Sequence, residues 1–384
     1  LINALFESVS GFTTTGASIL NDVESLPKGL QFWRIATSWV GGVGIVTLFS
    51  MIMMKRMDWS MLSRTEISNV SRQAFKGEKN GFYFHRTLIV YLFLTVATFL
   101  SLITTGMNWF DSLTNAMSAC STCGFCIRNL SIAYYDNVAV EGILTIAMLA
   151  AGMNFGILFL TFYRGSSHNL FRSETIRVFL AFVGIAVVVI VADLLINGVC
   201  HSVGSAFRSA VFQVVSISTT TGFATADTTL WPPLSMSVLI VCSLICGCSG
   251  STSGGIKIDR ALLAMKGIRR RISTSLDPGI VRIVKVDGKT RSYEQVNDAL
   301  GFIFLYLLIV AAGTTINLAC GLDFTTGFTA SISCIGNVGP GFGDVGSMAN
   351  YADLPIFLKL SSMAEMLIGR LEIYPLLYFL SASR

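Results

Sequence analysis

Ser216-Ile217-Ser218-Thr219-Thr220-Thr221-Gly222-Phe223 is a run of small, mostly hydroxyl-bearing residues closing on a glycine, and it follows a short amphipathic segment from about Ser205 to Val215. For a single helix such an ending is ordinary, because glycine terminates helices and Ser or Thr caps the next one. Its recurrence is what decides the fold. Ser10-Gly11-Phe12-Thr13-Thr14-Thr15-Gly16, Ser118-Ala119-Cys120-Ser121-Thr122-Cys123-Gly124-Phe125 and Ser331-Ile332-Ser333-Cys334-Ile335-Gly336-Asn337-Val338-Gly339-Pro340-Gly341 repeat the pattern. The focal glycines lie roughly 100 to 120 residues apart, room for two membrane helices and a half-length segment between them.

The flanking sequence fills that plan. Apolar runs at about Thr87 to Ile103, Val178 to Ile196 and Ala299 to Leu318 predict first helices, and Trp109 to Ala119, Ser205 to Val215 and Phe324 to Ser333 predict half-length segments. Second helices are predicted at Phe32 to Met54, at Ile143 to Phe162, and from Leu234 and Leu354 onward. Leu1 to Val9 already reads as a half-length segment, so the first helix of the first repeat is expected upstream of this chain. The predicted layout is repeat 1 at 1–56, a basic cytoplasmic linker at 57–86, repeat 2 at 87–172, repeat 3 with a broken second helix at 173–270, a linker at 271–295 and repeat 4 at 296–384.

Composition agrees with lipid as the solvent. Of 384 residues 53% are hydrophobic and 13% charged, and the mean hydropathy is +0.67. That excludes an ordinary soluble domain, a disordered chain and a coiled coil, and at about 20 apolar residues per crossing leaves room for roughly seven to nine spans. The net charge of +5 does not indicate nucleic acid, because 20 of the 27 Lys and Arg residues fall in Lys55 to Arg86, Arg164 to Arg177 and Lys257 to Arg291. These segments lie between apolar spans, as cytoplasmic loops do under the positive-inside rule, which puts the glycine loops on the outer side.

Nine cysteines in so apolar a chain read as small hydrophobes within helices. Cys120, Cys123 and Cys126 copy the opening of a ferredoxin motif, but position 130 is Leu, no Pro follows, and the chain has three histidines. A redox protein is therefore a distant reading. No cofactor is expected.

Irregular backbone at membrane depth leaves carbonyls without partners, at a cost of several kcal/mol each (roughly), so it persists where it lines a water-filled path or binds something. Four loops presenting carbonyl oxygens fit a cation: they can replace the hydration shell of a potassium ion, and glycine lets successive carbonyls turn the same way.

At this point the residues resemble the Trk/Ktr/HKT superfamily of potassium transporters, most closely the bacterial Trk-type pore subunit. The resemblance spans essentially the whole chain. It rests on Phe12-Thr13-Thr14-Thr15-Gly16-Ala17, Trp39-Val40-Gly41-Gly42-Val43-Gly44-Ile45, Thr219-Thr220-Thr221-Gly222-Phe223, Gly247-Cys248-Ser249-Gly250-Ser251-Thr252-Ser253-Gly254-Gly255-Ile256-Lys257, Asn337-Val338-Gly339-Pro340-Gly341 and Gly369-Arg370-Leu371-Glu372-Ile373. It implies an all-α polytopic membrane protein, a bacterial inner-membrane potassium transporter and not an enzyme, with four pseudo-symmetric helix–pore-loop–helix repeats around one central pore.

Further implications are a homodimer and a cytoplasmic ring of nucleotide-binding regulatory subunits. The implied selectivity filter is Thr14, Thr15, Gly16, Thr122, Cys123, Gly124, Thr220, Thr221, Gly222, Asn337, Val338 and Gly339. Glycine rather than serine at position 16 matches potassium-passing members. Cys123 departs from the usual small residue before the second glycine, which leaves that quadrant's geometry to be determined.

A gate is expected below the filter. The run from Leu234 to Ile245 covers only about half the bilayer before Gly247 to Gly255 interrupts it. Ile256 stands where a Walker loop needs lysine, so nucleotide is not the occupant. Gly254 lies 32 residues after Gly222 and Arg370 lies 31 after Gly339, which puts them at similar depth. An arginine there costs about 2.5 to 3.5 kcal/mol on insertion scales and should face inward, toward the freed carbonyls. Gly250, Ser251, Thr252, Gly254, Gly255 and Arg370 are the predicted gate; the alternative is that Arg370 snorkels to the inner surface or pairs with Glu365 or Glu372. Gly41, Gly42, Gly44, Gly152 and Gly156 are predicted to be packing positions. The basic segment from Lys257 is predicted to lie against anionic lipid.

Two function classes follow: a channel-like potassium uptake protein, and a proton- or sodium-coupled symporter, for which Asp193 and Glu7 are the candidate relay carboxylates.

Overall fold

The computed structural model describes residues 1–54, 81–164, 170, 172–277, 283–374 and 376. The basic linker expected at 57–86 lies outside the described residues as far as position 80.

Helices dominate: α1 (Ile2–Phe12), α2 (Lys28–Met54), α3 (Gly81–Thr104), α4 (Trp109–Ser121), α5 (Val138–Ala151), α6 (Phe155–Arg164), α7 (Glu174–Ile196), α8 (Val203–Ser218), α9 (Pro233–Ile245), α10 (Ile258–Leu276), α11 (Tyr293–Ala319), α12 (Phe324–Gly336) and α13 (Ile356–Leu371). Within α3, α7 and α11, the segments Thr87–Thr104, Glu174–Ile196 and Tyr293–Ala319 are long and apolar enough to cross a bilayer. Two two-residue strands, β1 (Lys285–Val286) and β2 (Lys289–Thr290), form a hairpin. Its Asp287-Gly288 turn has φ of 52° and 73°, as a tight two-residue turn requires, and Asp287 accepts the Glu174 N–H (2.6 Å) at the start of α7.

Four short helices, α1, α4, α8 and α12, have 11, 13, 16 and 13 residues. At 1.5 Å per residue they reach about 16 to 24 Å, short of the roughly 30 Å hydrocarbon core. Three begin on a side-chain cap: Asn108 accepts Phe110 N–H at 3.3 Å, Ser202 accepts Ser205 N–H at 3.1 Å, and Asp323 accepts Thr326 N–H at 3.1 Å. Each cap serves an N–H with no partner inside the helix. The packing of these helices closes on itself: α4 lies against α2, α8 against α5, α12 against α9 and α1 against α13.

One predicted helix is two. In place of a single helix over 143–162, α5 and α6 meet at 107° around Gly152, Met153 and Asn154. Asn154 causes the restart: its Oδ1 accepts Ile157 N–H at 3.1 Å, capping α6. Gly152 thus lies at a break and is also a packing position, since an added Cβ would meet Thr219 Cγ2 at 2.8 Å. Lys257, counted from sequence as part of a lipid-facing basic segment, is instead 7% exposed and ion-paired with Glu372 at 3.4 Å. Burying an ammonium requires such a partner.

Candidate functional site

The four short helices end in loops with one backbone signature. Thr14, Thr122, Thr220 and Asn337 have φ of 52°, 54°, 58° and 53°, and two residues later Gly16, Gly124, Gly222 and Gly339 have φ of 81°, 80°, 79° and 98°. A left-handed conformation at a non-glycine residue costs on the order of 1–2 kcal/mol, so four at matching positions mark a site where strain is held for a purpose. In every loop the residue before the glycine donates its N–H to a serine carbonyl: Thr15 to Ser10 (2.9 Å), Cys123 to Ser118 (3.2 Å), Thr221 to Ser216 (2.8 Å) and Val338 to Ser333 (3.0 Å).

The loops meet in sequence. A Cβ on Gly16 would strike the Cys123 carbonyl oxygen, one on Gly124 that of Thr221, one on Gly222 that of Val338, and one on Gly339 that of Thr15. The series closes, so the four loops form a ring in which each glycine leaves space for the neighbouring backbone. Gly339 turns its carbonyl to the Tyr351 hydroxyl at 3.0 Å. The carbonyls of the other candidate loop residues accept no hydrogen bond from any described residue. All four short helices aim their C-terminal ends here, each worth about −0.5 charge, so the field at the ring favours a cation. Buried carbonyls without donors are rare enough to call for a ligand or water.

Side chains brace the ring unequally. Thr13 and Thr15 hydroxyls lie 2.8 Å apart, as do those of Thr219 and Thr221. The second and fourth loops have Cys123 and Val338 at that place. In the fourth loop the brace comes from Asn337, whose Nδ2 donates to Thr15 Oγ1 (2.9 Å) and to the Met366 carbonyl (3.0 Å).

Below the ring, residues 246–257 form a loop that crosses to other elements. Gly254 N–H donates to Thr220 Oγ1 (3.0 Å), and Thr252 Oγ1 donates toward Cys120 O (3.1 Å) and Ala151 O (3.3 Å). Gly250 O accepts Phe155 N–H (3.0 Å), and Ser251 Oγ donates to Cys248 O (2.6 Å). Gly255, at φ 70°, leaves room for the Cys246 thiol. Arg370, 6% exposed, donates from Nη1 to Thr252 O (2.7 Å) and from Nη2 to Gly41 O (3.3 Å) and Gly42 O (3.2 Å). The structure therefore brings Arg370 to backbone carbonyls; Glu372 pairs with Lys257 and Arg260, and Glu365 bonds Ser331 (2.9 Å).

The remaining candidates are occupied elsewhere. Asp193 accepts Ser235 N–H (2.9 Å) and Oγ–H (2.6 Å) at the start of α9. Cys120, Cys123 and Cys126 are buried free thiols, Cys126 donating to Asn115 Oδ1 at 3.6 Å, and the described residues contain no cluster of ligating side chains. The sequence pattern contains Ser10, Ser118, Ser216 and Ser333 at a constant spacing of six residues before each ring glycine but did not assign their carbonyls a role. Nor did it anticipate the Gly41 and Gly42 carbonyls as acceptors, or the Lys257–Arg260–Glu372 cluster.

Comparison with known proteins gives a consistent result. The family model TrkH, described as "Cation transport protein", matches residues 1–383. The Trk system potassium uptake protein TrkH of Halomonas elongata is 32% identical over 97% of this chain and 77% of its own length. TrkH of Escherichia coli K12 is 32% identical over 98% and 78%, and TrkG of the same strain 31% over 99% and 78%. The crystal structure of the potassium transporter TrkH from Vibrio parahaemolyticus superposes with a TM-score of 0.86 at 31% identity, covering 99% of this chain and 78% of that one. Ring, loop and apolar helices thus sit in a chain that belongs to the TrkH family of cation transport proteins, which are membrane transporters and not enzymes.

Proposed function

We propose that this chain is the pore of a potassium uptake system in a bacterial inner membrane, with potassium as cargo and no cofactor. The observation that carries this reading is the closed ring of four loops whose carbonyls, apart from that of Gly339, meet no donor among the described residues. In this reading Thr14, Thr15 and Gly16, Thr122, Cys123 and Gly124, Thr220, Thr221 and Gly222, and Asn337, Val338 and Gly339 replace the hydration shell of the ion. The chain is then four helix–pore-loop–helix repeats over 1–56, 87–172, 173–270 and 296–384 joined by linkers at 57–86 and 271–295, with the loops facing outward. Cys123 contributes its backbone, so its thiol does not interrupt the ring.

The gate in this reading is Gly250, Ser251, Thr252, Gly254 and Gly255 with Arg370. Gly254 N–H on Thr220 Oγ1 puts the loop directly under the ring, and Arg370 adds a positive charge on the ion path. Loop movement would relieve both obstacles. Two such chains pair as a homodimer, and a cytoplasmic nucleotide-binding ring acts on the gate from below; the names of the relatives, proteins of a Trk system, support a multi-component assembly.

A proton- or sodium-coupled symporter is the second reading. Two observations favour it: the paired breaks at Gly152 and Cys246, and the buried Glu365. The freed groups at the breaks, however, bond to each other, Cys248 N–H to Gly152 O at 2.9 Å and Phe155 N–H to Gly250 O at 3.0 Å, and leave little for a coupled ion.

The deciding experiment is flux into liposomes carrying the full-length protein, driven by a potassium gradient with sodium as competitor. Channel-like uptake runs on that gradient alone, and Gly222→Ser, at φ 79° and against the Val338 carbonyl, lowers discrimination against sodium. Selectivity indifferent to Gly222→Ser would remove the filter assignment. Flux that requires a proton or sodium gradient would establish the symporter.

A further inference from the structure

Glu7 on α1 and Arg34 on α2 carry opposite charges with side chains 14% and 7% exposed, and Arg34 Nε donates to Glu7 Oε1 at 2.5 Å. Their remaining bonds go to residues just beyond two neighbouring ring glycines. Glu7 accepts Ser18 Oγ–H (3.1 Å) and Ile19 N–H (3.0 Å), two and three residues past Gly16. Arg34 Nη1 donates to Cys126 O (3.0 Å), two residues past Gly124, and its guanidinium lies 3.6 Å from the centroid of the intervening Phe125 ring. The ion pair thus ties the exits of the first and second loops together close to the ring, and farther out Asn129 joins them again, its Oδ1 accepting Val23 N–H (2.8 Å) and its Nδ2 donating to Asp22 (2.8 Å).

At the other seams the loop exits themselves are joined by hydrogen bonds, although the second seam has an ion pair of its own, Arg208 on α8 with Glu141 on α5 (2.8 Å) and with Asp136 (2.8 Å). Ala224 N–H meets Ser131 Oγ (3.2 Å), Thr228 N–H meets Ser347 Oγ (3.1 Å), and Tyr351 N–H meets Ser18 O (2.8 Å). Ala133 N–H to Ala224 O (3.1 Å) and Ser347 Oγ to Ala226 O (3.2 Å) add to these, and each such bond fixes one contact. A planar guanidinium with several donors, stacked on a ring and paired with a carboxylate, fixes position and angle together.

A buried ion pair is weak evidence for stability, because apolar residues of similar volume often serve as well; its best attested use is to fix register. We propose that Glu7 and Arg34 are positioning residues for ion selectivity, setting the spacing of the first two loops and hence the fit of the ring to a dehydrated potassium ion. This rests on the reading of the ring as a filter.

The test separates register from stability. Full-length protein carrying Glu7→Leu with Arg34→Met, an apolar pair in the same space, is compared with wild type, Arg34→Lys and Gly222→Ser in liposomes, measuring potassium-to-sodium discrimination and thermal stability. The double variant is expected to keep its melting temperature and lose discrimination by about tenfold, equivalent to about 1.4 kcal/mol. Arg34→Lys, which keeps the charge on Glu7 but cannot also span to Cys126 O, loses part of it. A folded double variant that discriminates as wild type does would overturn the proposal. If the double variant does not fold, Arg34→Lys decides: unchanged discrimination overturns the clamp. Where Gly222→Ser abolishes selectivity and the clamp variants do not, only the clamp fails; where Gly222→Ser changes nothing, the filter reading and the clamp fail together.

Discussion

Two pairs of helices cross the level below the ring in different ways. α5/α6 and α9/α10 are interrupted there, at Gly152 to Asn154 and at 246–257, whereas α2 is continuous through Gly41 and α13 runs unbroken to Arg370 in its last turn. The interrupted pair exposes backbone groups that a continuous helix keeps to itself, and each break supplies the other's partners: Cys248 N–H to Gly152 O, Phe155 N–H to Gly250 O, and Asn154 Nδ2 to Ser249 O (2.6 Å). The continuous pair supplies what the breaks lack, a cation on Arg370 and, at Gly41 and Gly42, carbonyls close enough to share it. The polar groups of the 246–257 loop are therefore met by a second irregular segment and by one arginine, as irregular backbone at membrane depth requires.

The largest effect is expected where the two pairs meet. Arg370→Met removes the donor to Thr252 O and the positive charge while keeping most of the side-chain volume. If the arginine closes the path, potassium flux through the full-length protein should rise at least about tenfold, the equivalent of about 1.4 kcal/mol off the barrier, with potassium-to-sodium discrimination unchanged. Flux at the wild-type rate would mean that the continuous helices only frame the loop and do not hold it.

A smaller effect is expected within the interrupted pair. Asn154→Leu deletes the cap of α6 and the amide bond to Ser249 O, leaving a buried carbonyl without that donor. Such losses cost about 1–3 kcal/mol, here divided between stability and loop closure, so thermal unfolding should occur earlier and flux rise a few-fold. Unchanged unfolding and flux would mean that the two breaks are independent of each other.

How much of this contrast the sequence disclosed depends on where each signal lies. The break after α9 was legible because glycine and serine crowd Gly247 to Gly255, a composition no membrane helix sustains. The break after α5 was not, since Gly152 is one glycine in an apolar run and the decisive residue is Asn154, whose role needs the Ser249 carbonyl 95 positions away. The loop signature was legible through its repetition, down to the glycines with positive φ. The closure of the ring was not, because Gly339 against Thr15 joins opposite ends of the chain. Lys257 was misplaced for a related reason: residue counting assigns a lysine at a span's edge to the surface, and only the arrival of Glu372 gives it a buried partner.

The continuous pair also allows the finest distinction, between glycines that sequence treats alike. Gly41 and Gly44 are one turn apart in α2 and both invite the same packing explanation. At Gly41 an added Cβ would strike the Phe12 carbonyl oxygen, main chain that cannot yield, whereas at Gly44 it would meet only Val40 Cγ1 at 3.5 Å, an ordinary contact. Gly44→Ala should therefore stabilise the protein by up to about 1 kcal/mol through helix propensity and leave flux as it is. Gly41→Ala should displace α2 from α1, lower the melting temperature and disturb the Gly41 carbonyl that receives Arg370. Equal melting temperatures for the two variants would show that α2 is free to shift against the ring, and that the continuous helices are no more rigid than the broken ones.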